Sequence, residues 1–396
     1  MMAFGLQAQS LEITLDQVEE LSRQYSPVWQ QLEKRLAYDI SGERSDAARI
    51  NPSIAYNLEF LNDGDENLYE HDFFLQKEFR TPGHFRSLQN LRDSRIRYYE
   101  QQTEMNRTEF LASARLGFVR IVLLEKHMKM VESLTVYLDR LQTASARITE
   151  EGETSLIDNR MIEMSNFHLQ AIIDDQAIEL QRMITAWRIL MGIHEETDLN
   201  FSGTFELSSV NLPDSGQLFT LLDESPRLIV NQLALESAGY EIQLQENRRI
   251  PSFELSAGYK QLTPVWRGFL VGFAIPLPLL SRNTDSIEQS RSLQRMEQLN
   301  LEHTRREQNQ TLLHLVNLLE SYEVKLAGFP DFLDKPQAYL NSLAISYQEG
   351  THTLSEFLNT LSLMADSYQT RFNQLQNYYS IAAEIEAITG QKLIYP

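Results

Sequence analysis

A chain of 396 residues with a formal net charge of −20 and no cysteine already narrows the field. Binding phosphate backbones takes clustered Lys and Arg, so the acidity argues against nucleic acid as a partner. The absence of thiols excludes disulfides, thiolate metal sites and a cysteine nucleophile, and, within these 396 residues, an N-terminal lipid-modified cysteine.

No uncharged run reaches the roughly 18 residues of a membrane helix. The longest apolar stretch, Gly268 to Ser281, is shorter and contains Pro276 and Pro278. The chain is therefore either soluble or crosses a membrane as β-strands. Residues 1–10 read as a signal-peptide remnant, with Leu6-Gln7-Ala8 resembling a cleavage site before Gln9.

Residues 11–199 form a first structural repeat. A helical segment, Leu15 to Ala48, leads into two strands. The first, about 52–62, sets Ile54, Tyr56, Leu58 and Phe60 against Ser53, Ala55, Asn57 and Glu59. The second, about 68–79, sets Tyr69, His71, Phe73, Leu75 and Phe79 against Glu70, Asp72, Gln76 and Glu78. This period-two alternation belongs to a half-buried strand. Asn62-Asp63-Gly64-Asp65 supplies the turn between them.

From His84 to Glu150 there is no proline and one glycine, Gly117, which predicts a helix about 100 Å long at 1.5 Å per residue. Its apolar seam is heptad-like: Leu124, Val131, Leu134, Leu138, Leu141. Glu151-Gly152 predicts a tight reversal near 152, because glycine tolerates the turn. A returning helix then covers about Thr154 to Leu190. Residues 200–216, rich in Gly, Ser and Pro, read as an equatorial connector crossing the long helices, with a strand-like Thr204-Phe205-Glu206-Leu207.

Residues 217–396 repeat the pattern. Ser26-Pro27, Arg49 and Pro52-Ser53 recur as Ser225-Pro226, Arg248 and Pro251-Ser252 at one offset of 199 residues. Glu151-Gly152 recurs as Glu349-Gly350. The chain is thus a duplicated structural half. A helical segment, Gln217 to Arg248, precedes strands at about 251–262 and 266–276. Phe253, Leu255, Ala257 and Tyr259 alternate with Glu254, Ser256, Gly258 and Lys260. Phe269, Val271, Phe273 and Ile275 alternate with Leu270, Gly272 and Ala274. The following run, Ser281 to Glu349, is predicted to break near Gly328-Phe329-Pro330 and Pro336. A second tip lies near 350, and Leu354 to Thr389 returns.

The four strands approach the roughly 9–11 residues that span a bilayer when tilted. Ile54, Tyr56, Leu58, Phe60, Phe253, Leu255, Tyr259, Phe269, Val271 and Phe273 are the expected lipid-facing set. Four strands cannot close a barrel, and open edges are not tolerated in lipid. If the strands enter a membrane, several copies must share one barrel. Two soluble hairpins packed apolar face inward on helices fit the same alternation.

The two-fold repeat, Pro-Ser-Ile-Ala-Tyr (52–56), Pro-Ser-Phe-Glu-Leu-Ser-Ala-Gly-Tyr (251–259), Val271-Gly-Phe-Ala-Ile-Pro-Leu-Pro-Leu279, Tyr347-Gln-Glu-Gly350 and Ile388-Thr-Gly390 together resemble the TolC family of outer-membrane efflux proteins. The resemblance covers nearly the whole chain and rests on the order and spacing of these segments. It implies a mainly α fold with a small β part: a long α-helical barrel of coiled-coil hairpins, plus four transmembrane strands per protomer completing a trimeric 12-stranded β-barrel. It implies a homotrimer in the outer membrane of a Gram-negative-type cell, with the helical part in the periplasm. A periplasmic adaptor and an inner-membrane pump, favoured to be of the resistance-nodulation-division type, would feed it.

The same resemblance makes Glu151, Gly152, Glu349 and Gly350 the periplasmic tip turns. Asp158, Tyr347 and His352 match the tip gate, where the family often carries Arg at the position of His352. A histidine latch would respond to pH near its pKa of about 6.5. Glu356 matches an acidic ring of the lumen constriction, and Asn359 stands where the next acid would be; a ring of Glu356 would attract cations. No cofactor, metal or catalytic residue is implied. No HExxH spacing or Gly-rich phosphate loop occurs, and Asp174-Asp175 and Glu195-Glu196 read as solvated charge. The leading reading is a passive efflux duct. The same duct could serve type I protein secretion, and a soluble elongated coiled-coil scaffold is the reading from another class.

Overall fold

The computed structural model describes residues 10–62, 67–150, 156–213, 215–263, 266–277, 282–330, 333 and 335–395. Residues 1–9, with the signal-like segment, and the first tip pair, Glu151-Gly152, lie outside the described residues. The elements are β1 (Ser10–Ile13), α1 (Gln17–Tyr25), α2 (Pro27–Asp46), β2 (Ser53–Asn62), β3 (Asn67–Phe79), α3 (Pro82–Glu150) and α4 (Leu156–Met191). They continue with β4 (Asp198–Phe201), a 3-10 turn (Leu207–Ser209), α5 (Ser215–Asp223), α6 (Pro226–Asn247), β5 (Phe253–Thr263), β6 (Trp266–Ala274), α7 (Thr284–Ala327), α8 (Pro336–Gln348) and α9 (Leu354–Thr389). The fold is mainly α with a small β part. No helix among the described residues is long and apolar enough to cross a membrane.

The chain divides into two compact units. One holds residues 1–32, 105–225 and 307–396; the other holds 33–104 and 226–306. Each draws on both sequence repeats, so the repeats are not domains: α3 and α7 each contribute to both units.

In the first unit, the heptad-like residues Val131, Leu134, Leu138 and Leu141 of α3 are buried with Ile162 and Leu169 of α4, Leu340 and Leu343 of α8, and Phe357 and Leu361 of α9. Leu124 is buried as well. A second apolar cluster joins Phe118, Trp187, Phe201, Phe205, Tyr378 and Tyr379. At Gly117 a side chain of α4 lies close against α3: a Cβ there would lie 2.9 Å from Cδ1 of Trp187. The Trp187 indole donates to the Ala114 carbonyl at 2.9 Å.

The helical segments 15–48 and 217–248 each contain two helices. Pro27 and Pro226 open new helices after Ser26 and Ser225, since a proline at the first helical position gives up only an N–H that has no intrahelical partner. The duplicated Ser-Pro pair is therefore a duplicated helix break. A further pair completes the repeat: Gly192 and Gly390, after α4 and α9, have φ of +68° and +75°, the left-handed caps that end both returning helices.

The strand-like Thr204-Phe205-Glu206-Leu207 is not a strand. The strand lies at Asp198–Phe201, where β1 pairs with β4 in parallel from Ser10↔Asp198 to Ile13↔Phe201. Phe205 instead packs edge-on against Phe118 and Tyr379, at centroid distances of 6.1 and 5.7 Å. Strand pairing goes where a partner edge exists; the aromatic goes to the core. The break expected in the second long run is present, with α7 ending at Ala327 and α8 starting at Pro336.

In the second unit, β2, β3, β5 and β6 form one antiparallel sheet in that order, with β2 and β6 as its edges. Leu88, Leu91 and Leu244 form a small helical core beside Ala47.

Candidate functional site

The sheet's register decides which side chains share a face. Ile54 pairs with Leu75 and Tyr56 with Phe73. Phe73 pairs with Tyr259 and Phe79 with Phe253. Tyr259 pairs with Phe269 and Leu255 with Phe273. Directly opposed residues project to the same side, so all ten residues of the expected lipid-facing set lie on one face. That face is open: Ile54 is 79% exposed, Val271 86% and Phe269 89%. Phe253 and Tyr259 are partly covered only by their neighbours, in ring contacts with Phe79 at 5.4 Å and Phe269 at 5.9 Å.

Inward-packed soluble hairpins would bury this face, and it is not buried. Contiguous aromatic and aliphatic surface of this kind marks contact with lipid or protein. Covering one such side chain is worth about 1.5–3 kcal/mol.

The opposite face is mostly polar and acidic. Glu59 opposes Glu70, Asp72 opposes Lys260, and Glu78 opposes Glu254. Lys260 ion-pairs with Glu70 and stands 4.0 Å from Asp72. Phe74, Trp266 and Leu270 interrupt this polarity.

The second candidate region is the turn between α8 and α9 in the first unit. Glu349 caps α8. Gly350 follows with φ +72°, and Thr351 N–H donates back to the Ser346 carbonyl at 3.0 Å. Helix α9 starts with a capping box: Glu356 N–H donates to Thr353 Oγ1 at 3.3 Å, and Thr353 N–H donates to the Glu356 carboxylate at 2.8 Å. These bonds, and then the charge of His352, hold the Glu356 carboxyl below its usual range. The signal for the box, Thr-Leu-Ser-Glu before an apolar run, is present in the sequence, although Glu356 is read there only as a lumen residue.

Of the expected gate residues, Asp158 acts on Tyr347 through its charge. The Tyr347 phenol is pushed above its ordinary value by burial first and by the Asp158 charge second. The Tyr347 ring also meets Phe357 edge-on at 6.3 Å. His352 and Asn359 are exposed. Asn359 follows Glu356 by three residues and shares its side of α9. Among the described residues, no group of three His, Asp or Glu could hold a metal ion.

One feature carries no sequence signal of its own: a cationic pocket in the second unit lined by Arg80, His84, Arg248 and Arg249.

No known protein-family pattern matches the chain, and no curated protein matches it. Solved structures do. A CusC structure described for its transmembrane channel formation shares 13% identity at a TM-score of 0.80, over 98% of this chain and 96% of that one. The outer-membrane channel OprN shares 12% at 0.77, over 96% and 90%. The CmeC outer membrane channel of Campylobacter jejuni shares 12% at 0.77, over 96% and 86%. At these identities the likeness is one of fold, and the fold is the one that the TolC-family resemblance implies.

Proposed function

We propose that the chain is the outer-membrane channel subunit of a tripartite efflux system. In this reading it conducts substrate passively and performs no covalent chemistry. The single observation that carries the proposal is the open apolar face of a four-stranded sheet with two edges, on a chain sharing its fold with outer-membrane channels. A sheet with bare edges cannot sit in hydrocarbon, so the strands need neighbours. A homotrimer supplies them, closing a 12-stranded barrel with the apolar face toward lipid and the acidic face toward the lumen.

Helix α4 supports the same assembly. Ile157, Met164, Phe167, Ile178 and Ile189 are all exposed. Their spacings of seven, three, eleven and eleven keep them on one stripe of the helix. Such a stripe is covered when protomers line up side by side as an α-helical barrel.

The helical part then lies in the periplasm. Glu349 and Gly350, with Glu151 and Gly152, form the tip, where a periplasmic adaptor docks between this channel and an inner-membrane pump of the resistance-nodulation-division type. Asp158, Tyr347 and His352 close the tip, and Glu356 and Asn359 line the constriction. The action of the Asp158 charge on Tyr347 supports the gate assignment.

Conductance of the purified protein in planar bilayers tests this. The wild type is expected to insert as trimers with cation preference. Glu356→Gln should lower that preference, and Asp158→Ala should raise the open fraction. A protein that stays soluble without detergent and never conducts overturns the proposal.

A further inference from the structure

We infer that the second unit carries a binding site for the phosphate of an anionic phospholipid, at the rim where strands give way to helices. The inference rests on the membrane reading of the sheet. The sheet ends on one side at Phe79 of β3, Phe253 of β5 and Ala274 of β6, which are adjacent in register. At that rim is a pocket of about 420 Å³ lined by Arg80, His84, Arg248 and Arg249, with Ile250 and Leu277 at its apolar side.

The pocket's charge runs against that of the chain. The protein carries a net −20, yet three guanidiniums line this pocket and Glu78 is the sole carboxylate in the lining. Glu78 stands 3.9 Å from Arg80. Among the described residues Arg248 forms no ion pair and meets the neutral Gln245 Oε1 at 3.5 Å; with Arg80 it also lines an adjoining pocket that holds Glu43, Asp46 and Glu241. Arg249 has no carboxylate partner among the described residues.

His84 offers no compensation, but it orients the cluster. It is 7% exposed, and its Nε2 accepts from Arg80 Nη1 at 3.2 Å. Burial, and then the charges of Arg80 and Arg248, hold its pKa below the ordinary value. It is therefore a neutral group that aims Arg80. Planar guanidiniums match phosphate oxygens in paired hydrogen bonds, and the one carboxylate of the lining, Glu78, is shared among three of them.

The apolar side specifies what is attached to the phosphate. Ile250 and Leu277 are exposed. Leu277 follows β6, whose Phe269, Val271 and Phe273 carry the exposed apolar face, so acyl chains from a phosphate at the guanidiniums run toward that face. A free phosphate uses the cations and leaves that face bare; a phospholipid uses both. Cations at this depth match a leaflet carrying anionic headgroups.

The test uses the full-length protein reconstituted into phosphatidylcholine vesicles with or without phosphatidylglycerol. Lipid retained after detergent extraction is counted by native mass spectrometry, and insertion is followed by conductance. Wild type is expected to retain phosphatidylglycerol over phosphatidylcholine. Arg80→Gln and Arg248→Gln should each weaken that retention about fivefold, and the double variant about 25-fold, with conductance unchanged. Inserted protein that retains the two lipids equally, or a double variant that retains phosphatidylglycerol like wild type, overturns the lipid site alone. Displacement of phosphatidylglycerol by low inorganic phosphate reassigns the pocket to soluble anions and overturns it too. Failure to insert into either vesicle overturns the membrane reading and the lipid site with it.

Discussion

Arg115 of α3 and Glu386 of α9 form an ion pair inside the helical core of the first unit, with Glu386 only 2% exposed. Glu386 also accepts the Leu393 N–H at 3.3 Å, and Arg115 reaches Glu19 at 3.7 Å. Removing one partner strands a buried charge. Glu386→Ala should therefore cost about 3–5 kcal/mol, whereas replacing both with apolar residues should be close to neutral. Urea denaturation of the two variants side by side measures the difference.

Gly117 and Gly42 should respond oppositely to the same change. In a helix interior, Gly→Ala normally gains about 0.5–1 kcal/mol. A Cβ at Gly42 meets nothing within 4 Å, while one at Gly117 meets Trp187 at 2.9 Å. Gly42→Ala should raise the melting temperature. Gly117→Ala should lower it, with an overpacking cost of about 1–3 kcal/mol.

The core tyrosines set an alkaline limit. Burial, and then the bond to Glu323, pushes the Tyr378 phenol well above its usual range. Tyr379 is raised by burial and donates to the Glu206 carbonyl at 2.6 Å. A raised folded-state pKa gives stability that is complete below the unfolded value of about 10 and is lost as pH rises past it. Denaturation midpoints should hold up to about pH 9 and fall as pH rises above about 10, and Tyr378→Phe with Tyr379→Phe should flatten that fall.

Thr353→Ala should weaken the start of α9 by about 1 kcal/mol, the usual value of such a cap. Glu356→Gln can keep the reciprocal hydrogen bonds of the box but loses the carboxylate charge, so hydrogen exchange at the start of α9 is measured beside its ion preference. The depressed Glu356 carboxyl stabilises the helix start above its unfolded pKa of about 4.3, and that contribution is lost on acidification. Hydrogen exchange at 354–358 as pH is lowered reads it.

Val271→Arg places a cation on the most open strand of the apolar face. At the middle of a bilayer this costs about 2–4 kcal/mol. The variant should leave the membrane fraction while keeping wild-type helical circular dichroism. Retention in the membrane would mean that the face does not meet lipid.

The parts of the fold set by period and punctuation are readable from the sequence. Alternation located β2, β3, β5 and β6 to within a residue or two, and the heptad-like leucines of α3 are buried as their spacing requires. What escaped depends on contacts distant in the chain. The β1–β4 pairing joins residues almost 190 positions apart, and nothing local to 198–201 announces it. The helix breaks at Ser26-Pro27 and Ser225-Pro226 were in view as repeat markers but not as breaks. Of the site, the gate residues Asp158, Tyr347 and His352 are named in the sequence through the family resemblance alone, and their role is a proposal. The pocket around Arg80 and Arg248 has no local signal, because its cations come from segments about 170 residues apart.

The sheet's two edges, β2 and β6, are different strands, so copies that share one continuous barrel join head to tail, β6 of one to β2 of the next. Four antiparallel strands per copy preserve the up-down order across each such seam, whatever the number of copies. The sheet by itself therefore does not fix how many protomers make a ring; the rotation between copies must come from elsewhere, or the same seam propagates as an open ribbon. It also follows that one copy with either edge damaged leaves a gap in every ring it enters, so edge variants should act dominantly when mixed with intact chains.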